Sequence, residues 1–158
     1  MAALAPIRFV PIEKSQFYNT LHSRVDAYFK EKGLSKYANG RIVVKTIVLM
    51  SVYLLPLFFM VWLQPAFGWS LALWILMGIG MAGVGMGVMH DANHGAFSEN
   101  PLINKWVGYS LILLGGSVLN WQMQHNNLHH TFTNITHYDY DIADKPGLRL
   151  SPHTEMRT

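Results

Sequence analysis

The 158-residue chain has no cysteine. That excludes disulfides, thiolate zinc sites and iron–sulfur clusters, and it leaves imidazole as the main candidate donor for any metal. Charge is scarce too, with Asp, Glu, Lys and Arg making up 13% of residues, and the scarcity is local. From Thr46 to Met89 the chain carries none of these four residue types across 44 positions. A soluble core helix needs a charged face, and none can be drawn here. The run is long enough for two membrane-spanning helices and a tight turn. Residues 1–14 hold Pro6, Arg8 and Pro11 and no apolar run of signal-peptide length, so no cleaved targeting segment is expected.

What charge there is gathers ahead of the apolar run, where residues 1–45 carry eight Lys or Arg against three Asp or Glu. Beside an apolar span such a basic flank reads as a topology signal, not as a nucleic-acid surface, and it assigns this end to the cytoplasm. The expected organisation is a basic, amphipathic cytoplasmic segment over 1–45 and an all-α membrane domain over 46–158. In the first, Ser15 is placed to cap a helix whose Phe17, Leu21, Val25 and Tyr28 share one face and which Gly33 stops. Such a helix suits a membrane surface, with Arg24, Lys30 and Lys32 near headgroups, or equally a face packed on the rest of the fold.

The first span is expected over 46–63, anchored by Arg41 and Lys45 and kinked at Pro56. Gln64 to Gly68 form the turn between Trp62 and Trp69, which read as interfacial aromatics. The second span, over 69–89, returns the chain and delivers His90 to the cytoplasmic edge. Gly78, Gly80, Gly83, Gly85 and Gly87 crowd its last turns, as close helix packing requires, and the interleaved methionines read as adaptable packing. The apolar stretch from Trp106 to Leu119 is 14 residues, about 21 Å of helix against a hydrocarbon core of about 30 Å. It should not cross, and is read as an interfacial or re-entrant helix broken by Gly115 and Gly116.

Five of the eight histidines lie between His90 and His130, in the clusters His90-Asp91-Ala92-Asn93-His94 and His125-Asn126-Asn127-Leu128-His129-His130. Residues four apart share a helical face, so His90 with His94, and His125 with His129, can each offer two imidazoles to one metal. His130 projects about 100° further round an α-helix, which suits a third ligand or a bridge to a second ion. One such pair is common without a metal. Two of them, each at the polar edge of an apolar run, are harder to account for unless the imidazoles are partnered.

The segments HDANHGAFS and QHNNLHHTFTN resemble the first and second histidine boxes, HxxxH and HxxxHH, of the membrane fatty acid desaturases, nearest to the acyl-CoA or linoleoyl-type and front-end branch. The resemblance implies two irons held mainly by imidazoles, with His90, His94, His125, His129 and His130 as ligands. It also implies dioxygen as co-substrate, a fatty acyl substrate on CoA or lipid, and a cis double bond as product. A third box should follow a further pair of spans, so the chain looks like the amino-terminal half of a four-span enzyme, inactive by itself. No HPGG haem motif is present, and electrons are expected from a ferredoxin or a separate haem protein. Trp121, four residues before His125, matches a position near the substrate in the family.

Asp91 is placed to orient an imidazole through its second nitrogen, and among the later acids Asp141 is the candidate for the same task, with Asp139 and Asp144 nearby. Pro146, Gly147 and Pro152 mark a loop, in which Lys145 or Arg149 could meet an anionic headgroup. Two other readings stand beside the desaturase: a related hydroxylase or ketolase, and a non-catalytic metal-binding membrane protein.

Overall fold

The computed structural model of the protein describes Ile7, Phe9 and residues 16–142. The expected cap at Ser15, Asp144, and the loop with Lys145 and Arg149 lie outside the described residues. Every described element is helical. The chain divides into two units, residues 1–36 and 37–158.

In the first unit α1 spans Gln16–Lys32, as its apolar spacing predicts, and Gly33 ends it with φ +60° and an N–H bonded to the Lys30 carbonyl. Asp26 and Lys36 form an ion pair. No residue of α1 is buried.

The second unit opens with α2 (Gly40–Leu63), which starts at Gly40 and not at Thr46. Asn39 decides this: its side chain accepts the Ile42 N–H at 3.2 Å, a cap that lets the helix begin before the charges end. Arg41 and Lys45 therefore ride on the helix, where long stems can carry their heads to water. The helix continues through Pro56 and stops where Gln64 turns left-handed, at φ 42°. After a three-residue turn, α3 (Phe67–Gly83) runs through a π-helical segment (Val84–Met89) into α4 (His90–Asn93). Phe67–Asn93 is thus one apolar helix of 27 residues, longer at both ends than expected. Both helices are long and apolar enough to cross a membrane. Val44, Ile47, Phe58, Val61, Trp74 and Ile79 are exposed around them, which suits lipid and not water.

The two helices meet at the glycines. A Cβ on Gly80 would lie 2.5 Å from the Tyr53 backbone nitrogen, so only glycine permits the approach. Gly83 faces the Leu49 side chain, which could shift aside for a Cβ, whereas Gly78 has nothing within 4 Å. Packing against α2 thus accounts for part of the glycine stripe.

Beyond the first box, Asn100 accepts the Leu102 N–H at 2.9 Å and Pro101 occupies the first turn of α5 (Pro101–Gly108), followed by α6 (Ser110–Leu113). The chain then turns with Gly115 at φ +81° and resumes as α7 (Val118–Trp121), a second π-helical segment (Gln122–His129) and α8 (His130–Phe132). The legs 101–113 and 118–132 meet at 106°. The break falls at the two glycines, as expected, although the first leg begins earlier. It frees helix-end carbonyls, and Tyr53 of α2 donates its hydroxyl to one of them, that of Leu113, at 2.7 Å. The small apolar core comprises Tyr53, Val84, Val88, Met89 and Ala92, directly beneath the first box.

Candidate metal centre

The first box is the end of the long helix. His90 opens α4 and His94 caps it, with ring centroids 4.5 Å apart. Asn93 in the same turn donates to the carbonyls of Met89 (2.9 Å) and Gly108 (3.2 Å), which ties the box to α5. The second box is wound differently from expectation. Its first two histidines, His125 and His129, lie in the π-helical segment, where i→i+5 bonding gives roughly four and a half residues per turn. On an α-helix His130 would project well away from His125. In the wider turn i+4 and i+5 fall on either side of residue i, and both the His129 and His130 ring centroids lie 5.0 Å from that of His125. All three rings of this box therefore share one face.

The two boxes, 35 residues apart, close on each other. His90 Nε2 lies 3.2 Å from His125 Nε2, and His94 Nε2 lies 3.4 Å from His130 Nε2. His90, His94 and His125 offer nitrogens all within 4.8 Å of one another, and His125, His129 and Asp141 form a second such group. His125 belongs to both. Trp121 stacks on His125 at 4.5 Å and stands edge-on to His90 and His94, so it packs against three of the five imidazoles.

Carboxylates orient the second box. Asp141 Oδ2 accepts from His125 Nδ1 at 2.7 Å, and Asp139 accepts from His129 Nδ1 at 2.9 Å. An imidazole that donates its Nδ1–H keeps the Nε2 lone pair free. At the His90–His125 contact that lone pair faces a ring nitrogen, an arrangement that a shared cation would satisfy. Asp91 lies farther from its imidazole, with its carboxylate 3.5 Å from His90 Nδ1.

Burial disfavours charge on Asp139, yet hydrogen bonds from His129 and from the Asn134 and Asp141 N–H groups outweigh it and hold the carboxyl below its ordinary range. Burial, then the neighbouring imidazoles His90, His130 and His125, lower the His94 pKa to about 4. The His94 imidazole is therefore neutral across the physiological range. The donor set of five imidazoles with carboxylate support and no sulfur fits iron among the metals that imidazole suits.

A family model described as fatty acid desaturase matches residues 67–157, which include both boxes. The chain belongs to the fatty acid desaturase family. Among curated relatives of this family, the sn-1 linoleoyl-lipid 6-desaturase of Synechocystis sp. is 36% identical over 143 residues, 90% of this chain and 40% of that protein. The acyl-lipid (8-3)-desaturase of Physcomitrium patens is 32% identical over 162 residues, 97% of this chain and 32% of that protein. The chain thus spans two-fifths or less of the length of these desaturases. No solved structure matches it. With two apolar helices and desaturase membership, it is a membrane protein of a family that uses iron, and its histidine groups could bind that metal.

Proposed function

We propose that the full-length protein is a multi-pass membrane desaturase that inserts a cis double bond into the fatty acyl chain of a lipid, with dioxygen as co-substrate. The observation that carries this reading is the convergence of both boxes into one imidazole cluster at the end of two apolar helices. His90, His94, His125, His129 and His130 would hold two irons, with further ligands from a third box on the remaining two spans of a four-span fold. Iron there supplies the dioxygen activation that removal of hydrogen from an unactivated methylene pair demands, which no side-chain acid or base can provide. The chain's own part is to hold and shield. Asp139 and Asp141 keep His129 and His125 in the Nδ1–H form, Trp121 packs against His90, His94 and His125, and the helix pair sets the cluster beside lipid.

Of the two carriers expected, the names of the relatives favour acyl-lipid over acyl-CoA. Electrons would come from a ferredoxin or a separate haem protein. The basic flank supports a cytoplasmic amino terminus, and two crossings would return both boxes to that side. Residues 1–45 would then be the cytoplasmic segment and 46–158 the first part of the desaturase domain.

Expression of the full-length gene in a host lacking the product, followed by fatty acid analysis, tests the activity: a new cis-unsaturated acyl chain is expected, and a hydroxylated product instead would reassign the reaction. Reporter fusions after Tyr37, Phe67 and Asn134 test the topology. Tyr37 and Asn134 on opposite sides would refute it.

A further inference from the structure

We propose that Asp139 is the positioning residue of the second box: it fixes the tautomer and ring plane of His129 and, through the backbone, carries Asp141 to His125. The proposal rests on reading the histidine cluster as a metal centre. Asp139 and Val84 are the largest wholly buried side chains among the described residues, and the Asp139 side chain is 0% exposed. A carboxylate so placed is strongly unfavourable unless every lone pair finds a donor. Its donors are unusual for a buried acid, because the side chain paired with it is an imidazole and not Lys or Arg.

Oδ1 accepts from His129 Nδ1 at 2.9 Å and from the Asp141 N–H at 2.9 Å. Oδ2 accepts from the Asn134 N–H at 2.8 Å and stands 3.0 Å from His129 Nδ1. The chain has to double back to make this fit, and two non-glycine residues in left-handed conformation, Asn134 (φ 62°) and His137 (φ 72°), reverse it between α8 and Asp139. Such conformations persist where the surroundings over-determine them. Two residues on, Asp141 sits in a short 3₁₀ turn (Tyr140–Ile142) and reaches His125. A single buried carboxylate therefore organises both carboxylate–imidazole pairs. Asp141 is 38% exposed and has no such anchoring of its own.

Every donor that meets Asp139 needs an oxygen. An amide in its place would set its NH2 group against the Asn134 or the Asp141 N–H. In Asp139→Asn the ring of His129 should lose its fixed donor geometry while all five histidines remain.

The test uses full-length protein in lipid nanodiscs. Solid-state NMR of ¹⁵N-histidine-labelled, metal-free protein, with His129 assigned by its loss in H129Q, should show the proton of His129 on Nδ1. In D139N the Nδ1 signal should move toward the unprotonated value, and affinity for iron(II), read by competition with a chelator, should fall about 10- to 100-fold. Far-UV circular dichroism and size exclusion report whether D139N keeps its fold. A wild-type His129 protonated on Nε2 overturns the proposal whatever any variant does. So does a folded D139N with unchanged iron affinity, or one with weaker affinity and an unmoved His129 signal, which would leave Asp139 a loop staple only. If wild-type protein binds no iron through His129, the metal-centre reading fails, and the tautomer measurement on metal-free protein still decides the role of Asp139.

Discussion

The first histidine box lies on the last turn of a 27-residue apolar helix and takes its order from that helix, with Val88, Met89 and Ala92 buried around it. The second lies on a short π-helical stretch with no buried residue of its own and takes its order from carboxylates. The first box leans mainly on burial, with Asn93 tying it to α5, and the second on hydrogen bonds from its imidazoles to carboxylates. The difference follows from what each can reach: a helix end in an apolar layer has packing to spare and few polar partners, whereas a segment leading into a polar loop has the reverse. Two separately fixed sets of rings can then be brought within 3.2–3.4 Å of each other.

The largest effect should come where the two supports meet. His125 belongs to both candidate ligand groups, so H125A should abolish iron retention and product formation in the full-length enzyme, measured by metal analysis and fatty acid profile. H90A and H94A should lower iron content but leave part of the second group's share. Equal iron in wild type and H125A would break the comparison altogether. Next come the acids. D141N should weaken iron binding by about 10- to 100-fold, as loss of an orienting partner does, while D91N should have a smaller effect, because Asp91 stands 3.5 Å from its imidazole against 2.7 Å for Asp141. The reverse order would mean that the first box also depends on a carboxylate.

Acid should weaken each box through a different group. His94 is depressed to about 4 from its unfolded value of 6.5, so the unfolded chain takes up a proton that the fold refuses. The stability of the metal-free first box should decline as pH falls from 6.5 to about 4. Asp139 is depressed below 3.8, so its contribution is complete above that value and is lost as pH falls through its lower folded value. A histidine-resolved NMR titration should show the His94 signal changing near pH 4 and not near 6.5. The smallest effect belongs to a residue that serves neither box directly: Y53F leaves the Leu113 carbonyl without its donor and should cost about 1–3 kcal/mol of stability with little change in iron content, read by thermal unfolding.

The spans were legible because 44 uncharged residues have few other readings, and the breaking glycines because Gly115 and Gly116 interrupt an otherwise continuous apolar run. The helix starts were less so. Arg41 and Lys45 were counted as flanks, although Asn39 and Asn100-Pro101 carried the capping signal in plain view. Histidine spacing pointed to a shared site but not to its winding, since the same i, i+4 pattern reads alike on an α- or a π-helix and tertiary packing chooses between them. Asp139 could not be told from Asp141 or Asp144 by sequence. Only the chain reversal at Asn134 and His137 buries it, and although Asn and His are among the non-glycine residues that most often turn left-handed, the residue type does not say which copy will.

A π-helical segment is an α-helix that has absorbed one more residue between fixed ends. Each histidine box is served by such a segment, Val84–Met89 ahead of His90 and Gln122–His129 around His125. Chain length is therefore as much a coordinate of the centre as residue identity. A one-codon deletion at Met123 would keep every histidine and every orienting acid. By letting the helix relax to ordinary winding, it would swing His130 away from the face it shares with His125. Substitution cannot reach this variable; only insertion and deletion can, and the two boxes would have to drift together for the cluster to survive.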